Sequence, residues 1–164
     1  MSKPVVEKQT GFKMVYNHSS GGVVWQHELV SIRTIDYKDI LEIAMDKAQL
    51  GCEVHILPTL PEEHPLRSII FKDAKERKCP DLKIDGRYVE VKITVGKPHQ
   101  RKINNNIKAS YKQANEVIVT LTCSFDIEHL RRIAKGRFLT HENLILIEFK
   151  NETNYITFQR SEFI

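Results

Sequence analysis

The stretch Cys79-Pro80-Asp81-Leu82-Lys83-Ile84-Asp85-Gly86-Arg87-Tyr88-Val89-Glu90-Val91-Lys92 decides the fold. Asp85-Gly86 is the signal for a two-residue type I′ hairpin turn, because Asp and Gly tolerate the positive φ angles the turn requires. That turn pairs Ile84 with Arg87, Lys83 with Tyr88, Leu82 with Val89 and Asp81 with Glu90. Alternation then sorts the side chains: Leu82, Ile84, Val89 and Val91 on one face, Asp81, Glu90 and Lys92 on the other. Two carboxylates are expected directly opposite each other, at roughly 4.5–5.5 Å between Cβ atoms, where like charges destabilise a sheet. A divalent cation or a shared proton would offset that repulsion, and Lys92 adds a positive charge to the same face. Carboxylates can hold a hard metal against a phosphate oxygen, and a lysine can orient the attacking water and stabilise developing negative charge.

Outward from the hairpin, the charge distribution is asymmetric. The net charge is +4, and between Glu90 and Glu116 there is no acid. That interval carries Lys92, Lys97, Arg101, Lys102, Lys108 and Lys112, with His99 among them. A basic run directly after paired acids points to a polyanion lying across them, so Lys97, Arg101, Lys102, Lys108 and Lys112 are candidate contacts to the phosphates of RNA or DNA.

Pro80-Asp81, eight further residues, then Glu90-Val91-Lys92 resembles the signature of the PD-(D/E)XK nuclease superfamily. The resemblance implies a restriction-endonuclease-like core, Asp81 and Glu90 as ligands of Mg²⁺ (or Mn²⁺ or Zn²⁺), and Lys92 as the residue that positions water. It also implies an acid lent by a helix ahead of the first core strand, for which Glu42 is the candidate as third catalytic residue and metal ligand. The block, with its preceding helix and Gly51-Cys52-Glu53-Val54 strand, further resembles the C-terminal nuclease domains of bacterial polymorphic toxins, among them contact-dependent growth-inhibition toxins. That likeness implies cleavage of an RNA such as tRNA, a cognate immunity or inhibitor protein as partner, and a cytoplasmic site of action reached as the tail of a larger secreted protein. Two readings compete: a metal-independent ribonuclease using His18 or His27, and a nucleic-acid-binding domain without catalysis.

In chain order, Thr10 to Leu29 reads as two extended segments around Asn17–Gly22, with Phe12, Met14 and Tyr16 alternating on one side and Val23, Trp25 and His27 on the other. Asp36 to Leu50 is expected as a helix, N-capped by Asp36 and stopped by Gly51, with Leu41, Ala44, Met45 and Ala48 inward. Cys52 to Leu57 is a strand, and Thr59 to Lys78, with Pro61 and Pro65, a loop holding a short helical piece near Arg67 to Lys75. Val95 to Arg101 reads as a linker, Ile103 to Ala114 as a helix burying Ile103, Ile107, Ser110 or Tyr111, and Ala114, and Val117 to Thr122 as a strand buried on both faces. A helix from Asp126 to Lys135, stopped by Gly136, precedes a final hairpin of Leu144–Phe149 and Tyr155–Phe158.

The fold class is therefore α/β, a mixed central sheet flanked by helices. The 164 residues are expected to form one domain: an N-terminal β-hairpin extension (1–33), a core (34–122), and a C-terminal helix and hairpin (123–164). Hydrophobic content of 41% with 28% charged residues excludes a disordered chain, and no run of 18 apolar residues suggests a membrane span. Cys52, Cys79 and Cys123 form no CxxC pair, which argues against a zinc knuckle or a disulfide framework.

Overall fold

The structure, a computed structural model, describes residues 10–95 and 99–164. It is a mixed α/β protein whose eight strands are ordered β1 to β8 along the chain. The chain divides into two compact units, one ending at Tyr88 and the other beginning at Val89.

The first unit contains β1 (Phe12–Asn17), β2 (Val23–His27), helix α1 (Tyr37–Gln49), β3 (Glu53–Ile56), a single helical turn α2 (Arg67–Ile70) and β4 (Leu82–Ile84). β1 and β2 are antiparallel, β2 and β3 parallel, β3 and β4 antiparallel. The expected alternation of Phe12, Met14 and Tyr16 fails, because the register shifts between Met14 and Tyr16. The bulge puts Tyr16 out of step, and Met14, in register opposite Trp25, is 48% exposed while Phe12 stays buried.

Helix α1 runs as its apolar spacing requires, burying Ile43, Ala44 and Ala48. It ends at Gly51, whose φ of +91° is the left-handed stop that glycine tolerates, and whose N–H donates to Ala48 O at 2.9 Å. The β1–β2 loop closes on this end: Ser20 Oγ donates to Ala48 O at 3.0 Å. A Cβ on Gly22 would stand 1.6 Å from that same oxygen, so only glycine fits.

The segment between β3 and β4 covers a buried cluster of Phe12, Trp25, Leu57, Leu60, Ile70 and Phe71. The Arg67 guanidinium ties it down, donating to Leu60 O at 3.3 Å and Lys78 O at 2.9 Å. The helical piece expected up to Lys75 stops at Ile70 and continues as turns. Tyr88 adds a second clamp, its hydroxyl shared between Ile70 O and Lys72 O. Burial, reinforced by the Asp73 carboxylate, pushes the Tyr88 phenol up to about 12.

The second unit takes up β5 (Arg87–Thr94) and contains α3 (Gln100–Tyr111), β6 (Glu116–Leu121), α4 (Ile127–Thr140), β7 (Leu146–Asn151), β8 (Asn154–Gln159) and a closing 3₁₀ turn, Arg160–Glu162. β5, β6 and β7 are parallel, and β8 returns antiparallel to β7. β6 is buried on both faces, as its apolar run requires. Ile103 and Ile107 of α3, Leu130, Ile133 and Phe138 of α4, and Val117, Val119, Ile147, Phe149 and Phe158 of the strands form one core.

Two boundaries differ from the sequence reading. Helix α3 starts at Gln100, inside the expected linker, because His99 caps it: its Nδ1 accepts from Lys102 N at 3.3 Å. Helix α4 passes through Gly136 instead of stopping there. A glycine inside a helix costs about 1 kcal/mol, whereas continuing one more turn buries the whole Phe138 ring, worth roughly 2–3 kcal/mol. The N-cap is Asp126, which accepts from Glu128 N at 3.0 Å.

Candidate functional site

The Asp85-Gly86 turn has φ +48° and +85° at its two central residues, the type I′ conformation. Asp85 also clasps the start of β3: its backbone N–H donates to Glu53 O at 2.9 Å, and its Oδ1 accepts from Glu53 N at 2.8 Å. Burial and the neighbouring Asp85 carboxylate push the Cys52 thiol up. Leu82, Ile84, Val89 and Val91 are buried, while Asp81, Lys83, Tyr88 and Glu90 are half-buried and Lys92 exposed, the alternation expected of the hairpin.

Asp81 belongs to the first unit. Its carbonyl accepts from Leu57 N at 3.0 Å, which fixes the residue at the mouth of β4. It lines a cavity of about 380 Å³ together with Asp36, Tyr37, Thr34, Ser31 and Thr59. Asp36 caps α1 by position, but its side chain makes no capping hydrogen bond. Tyr37 is oriented by donating to the buried Gln26 Oε1 at 2.6 Å. Glu42 is exposed on α1 and does not line this cavity. Six residues correspond to about 600° of helix rotation, so Asp36 and Glu42 lie on different faces. The carboxylate that α1 brings to Asp81's cavity is Asp36, a residue the sequence reading used only as a cap.

Glu90 and Lys92 belong to the second unit. The parallel register sets Glu90 beside Val117 and Lys92 beside Val119, on the side of the strands that α3 covers. Of the candidate phosphate contacts, Arg101, Lys108 and Lys112 are exposed. Their spacing of seven and then four residues puts them on one stripe of α3, about 16 Å long at 1.5 Å per residue. Lys102 turns aside and donates from Nζ to Val95 O at 2.6 Å. Lys97 lies outside the described residues.

The histidines divide by their bonding. His27 is fully buried, Nε2 against Thr10 O at 2.8 Å and Nδ1 accepting from Leu29 N at 3.1 Å. With both ring nitrogens held by backbone, it has no lone pair or proton to offer a substrate. His18 Nδ1 accepts from Ser20 N at 3.1 Å within its own loop. Among the described residues, no group of three or more His, Cys, Asp or Glu side chains is placed to hold a metal ion. Asp81 and Asp36 line one cavity, and a hard cation such as Mg²⁺ takes one or two carboxylates and fills its remaining positions with water and phosphate oxygens. No helix among the described residues is long and apolar enough to cross a membrane.

Comparison with known proteins bears on the same region. Residues 78–153, which begin one residue before Cys79 and take in the hairpin, α3, β6, α4 and β7, match the family model described as the contact-dependent growth inhibition CdiA C-terminal domain. No match was found among curated proteins. Among solved structures, a CdiA-CT/CdiI toxin and immunity complex from Burkholderia pseudomallei is similar with a TM-score of 0.50 and 18% identity, over 79% of this chain and 88% of that one. At that identity the likeness is one of fold. The chain is thus similar to the CdiA C-terminal domain in sequence over residues 78–153, and to a chain of a toxin and immunity complex in its α/β fold.

Proposed function

We propose that this chain is the toxic C-terminal domain of a contact-dependent growth-inhibition protein and that it acts as a metal-dependent nuclease. The feature that supports the reading is the matched segment itself: a type I′ turn at Asp85-Gly86, buried apolar residues alternating along the strands on either side of it, and Asp81, Glu90 and Lys92 at the intervening positions. Asp81 and Glu90 would hold the cation, with Asp36 or Glu42 as the acid from α1. When bound, the cation would supply charge neutralisation on the scissile phosphate and acidification of a water. Lys92 orients that water through its ammonium group and stabilises the charge that develops on the phosphate. Arg101, Lys108 and Lys112 bind flanking phosphates along the stripe of α3, and such contacts position a strand without reading its sequence.

The comparison family is described as a C-terminal domain, which supports delivery as the tail of a longer protein. The similar chain comes from a toxin and immunity complex, which supports a cognate inhibitor as partner. The substrate class is nucleic acid, RNA such as tRNA or DNA. The test is a gel comparison of total tRNA, ribosomal RNA and single- and double-stranded DNA, each with Mg²⁺ or Mn²⁺ and with EDTA. Cleavage that needs metal supports the reading; salt-dependent binding without cleavage in any metal makes the chain a binding domain instead. Asp36→Ala and Glu42→Ala, assayed side by side, identify the acid from α1 as the one whose loss abolishes metal-dependent cutting.

A further inference from the structure

A second cavity in the first unit, of about 300 Å³, shares only Leu57 with the one that Asp81 lines. Its wall is apolar, with Phe12, Leu57 and Ile70 buried and Ile69 at the rim, 56% exposed. Its polar edge is Glu53, His55 and Lys83. His55 and Lys83 are cross-strand partners of β3 and β4, and Glu53 Oε1 lies 3.8 Å from His55 Nε2. The imidazole is fixed in orientation, edge-on to Phe12 at 4.9 Å and stacked on Trp25 at 6.4 Å. The Lys83 ammonium sits 5.1 Å from the centre of the Tyr88 ring. A cation held over a ring face keeps its N–H donors for an anion.

We propose that this cavity binds one nucleotide unit of a nucleic-acid strand, with the base against the Phe12, Leu57, Ile69 and Ile70 wall and a phosphate on Lys83. The volume is at the lower end of small-ligand pockets, which begin near 300 Å³, and so suits one base with its sugar. A planar heterocycle buries its faces on the apolar wall and meets, at its edge, a carboxylate and an imidazole side by side. Lys83 supplies the charge for the phosphate. Gly86 lies at the rim with open space where a Cβ would be, so a strand can pass there. Leu57 lines both cavities and its N–H holds Asp81 O, so the nucleotide occupies the position adjoining the candidate catalytic carboxylate. The strand-binding role, as distinct from nucleotide binding alone, rests on the nuclease reading.

The test is titration of the whole chain in EDTA with 5′-mononucleotides (AMP, GMP, CMP, UMP), with the matching nucleosides and with inorganic phosphate, followed by calorimetry. At least one mononucleotide is expected to bind tenfold or more tighter than its nucleoside and than phosphate. Lys83→Met weakens that nucleotide about tenfold and leaves the nucleoside unchanged; Ile69→Glu, on an exposed position that folding tolerates, weakens both. Phosphate binding as well as the nucleotides, indifference to both substitutions, or no binding by folded protein at millimolar concentration each overturns the proposal. The two readings fail separately. Mononucleotide binding by a chain that cuts nothing ends the nuclease alone, whereas metal-dependent cutting without mononucleotide binding ends this pocket alone.

Discussion

Asp85 carries two separable functions in the hairpin, and substitution resolves them. Its φ of +48° is a conformation that Asp and Asn tolerate but that costs Ala about 1–2 kcal/mol. Its Oδ1 accepts from Glu53 N at 2.8 Å, a charge-assisted bond which at this exposed position is worth about 1 kcal/mol. Asp85→Ala therefore loses both, about 2–3 kcal/mol; Asp85→Gly loses only the bond, about 1 kcal/mol; Asp85→Asn retains an oxygen acceptor and the backbone preference and loses less than about 1 kcal/mol. The assay is urea unfolding of the four proteins, read at the midpoint with unchanged slope. Because the Asp85 carboxylate helps to push the Cys52 thiol up, Asp85→Asn also moves the pH profile of Cys52 alkylation to lower pH. If Ala, Gly and Asn are equally stable, the turn is not held as described.

Gly22→Ala drives a methyl group into Ala48 O and is expected to destabilise by about 3 kcal/mol or more, seen as a drop in Tm, while Gly21→Ala meets no atom and disturbs only its own backbone. Gly136→Ala goes the other way: it lies inside α4 with open space around it and should stabilise by about 0.5–1 kcal/mol in the same measurement. The Tyr88 phenol is raised in the folded state to about 12 from its ordinary 10, so the folded protein holds its proton more tightly. That contribution is complete below pH 10 and is lost as the pH rises through 12. Two units correspond to at most about 2.7 kcal/mol, and partial exposure reduces this to about 1–2 kcal/mol. Unfolding free energy should fall by that amount between pH 10 and 12, and the fall should vanish in Tyr88→Phe.

Periodicity made much of the fold legible. The apolar spacing of α1, the hairpin alternation and the run of Val117 to Leu121 each met a structural need that short-range sequence states directly. The failures came where distant packing overruled a local rule. Gly136 carries a stop signal, but Phe138 has its place in the core two residues later. Tyr16 follows the alternation in sequence, but the bulge that puts it out of step is a property of the pairing with β2. The site shows the same division. The hairpin residues were readable because a turn fixes the positions around it. Asp36, by contrast, gains its cavity only when the chain from Leu29 to Tyr37 folds against Ile56, Leu57 and Asp81. Likewise His55 and Lys83 are 28 positions apart and become neighbours only through the β3–β4 register.

The central claim is that Asp81, Glu90 and Lys92 carry metal-dependent phosphodiester cleavage. It is tested most directly by measuring the cleavage rate of total tRNA by the wild-type chain and by Asp81→Ala, Glu90→Ala and Lys92→Ala, in Mg²⁺ or Mn²⁺ and in EDTA, with folding of each checked by circular dichroism. The account predicts cutting by the wild type in metal only, and a fall of about a hundredfold or more in each folded variant. Undiminished cutting by all three variants, or cutting by the wild type that persists in EDTA, would contradict it.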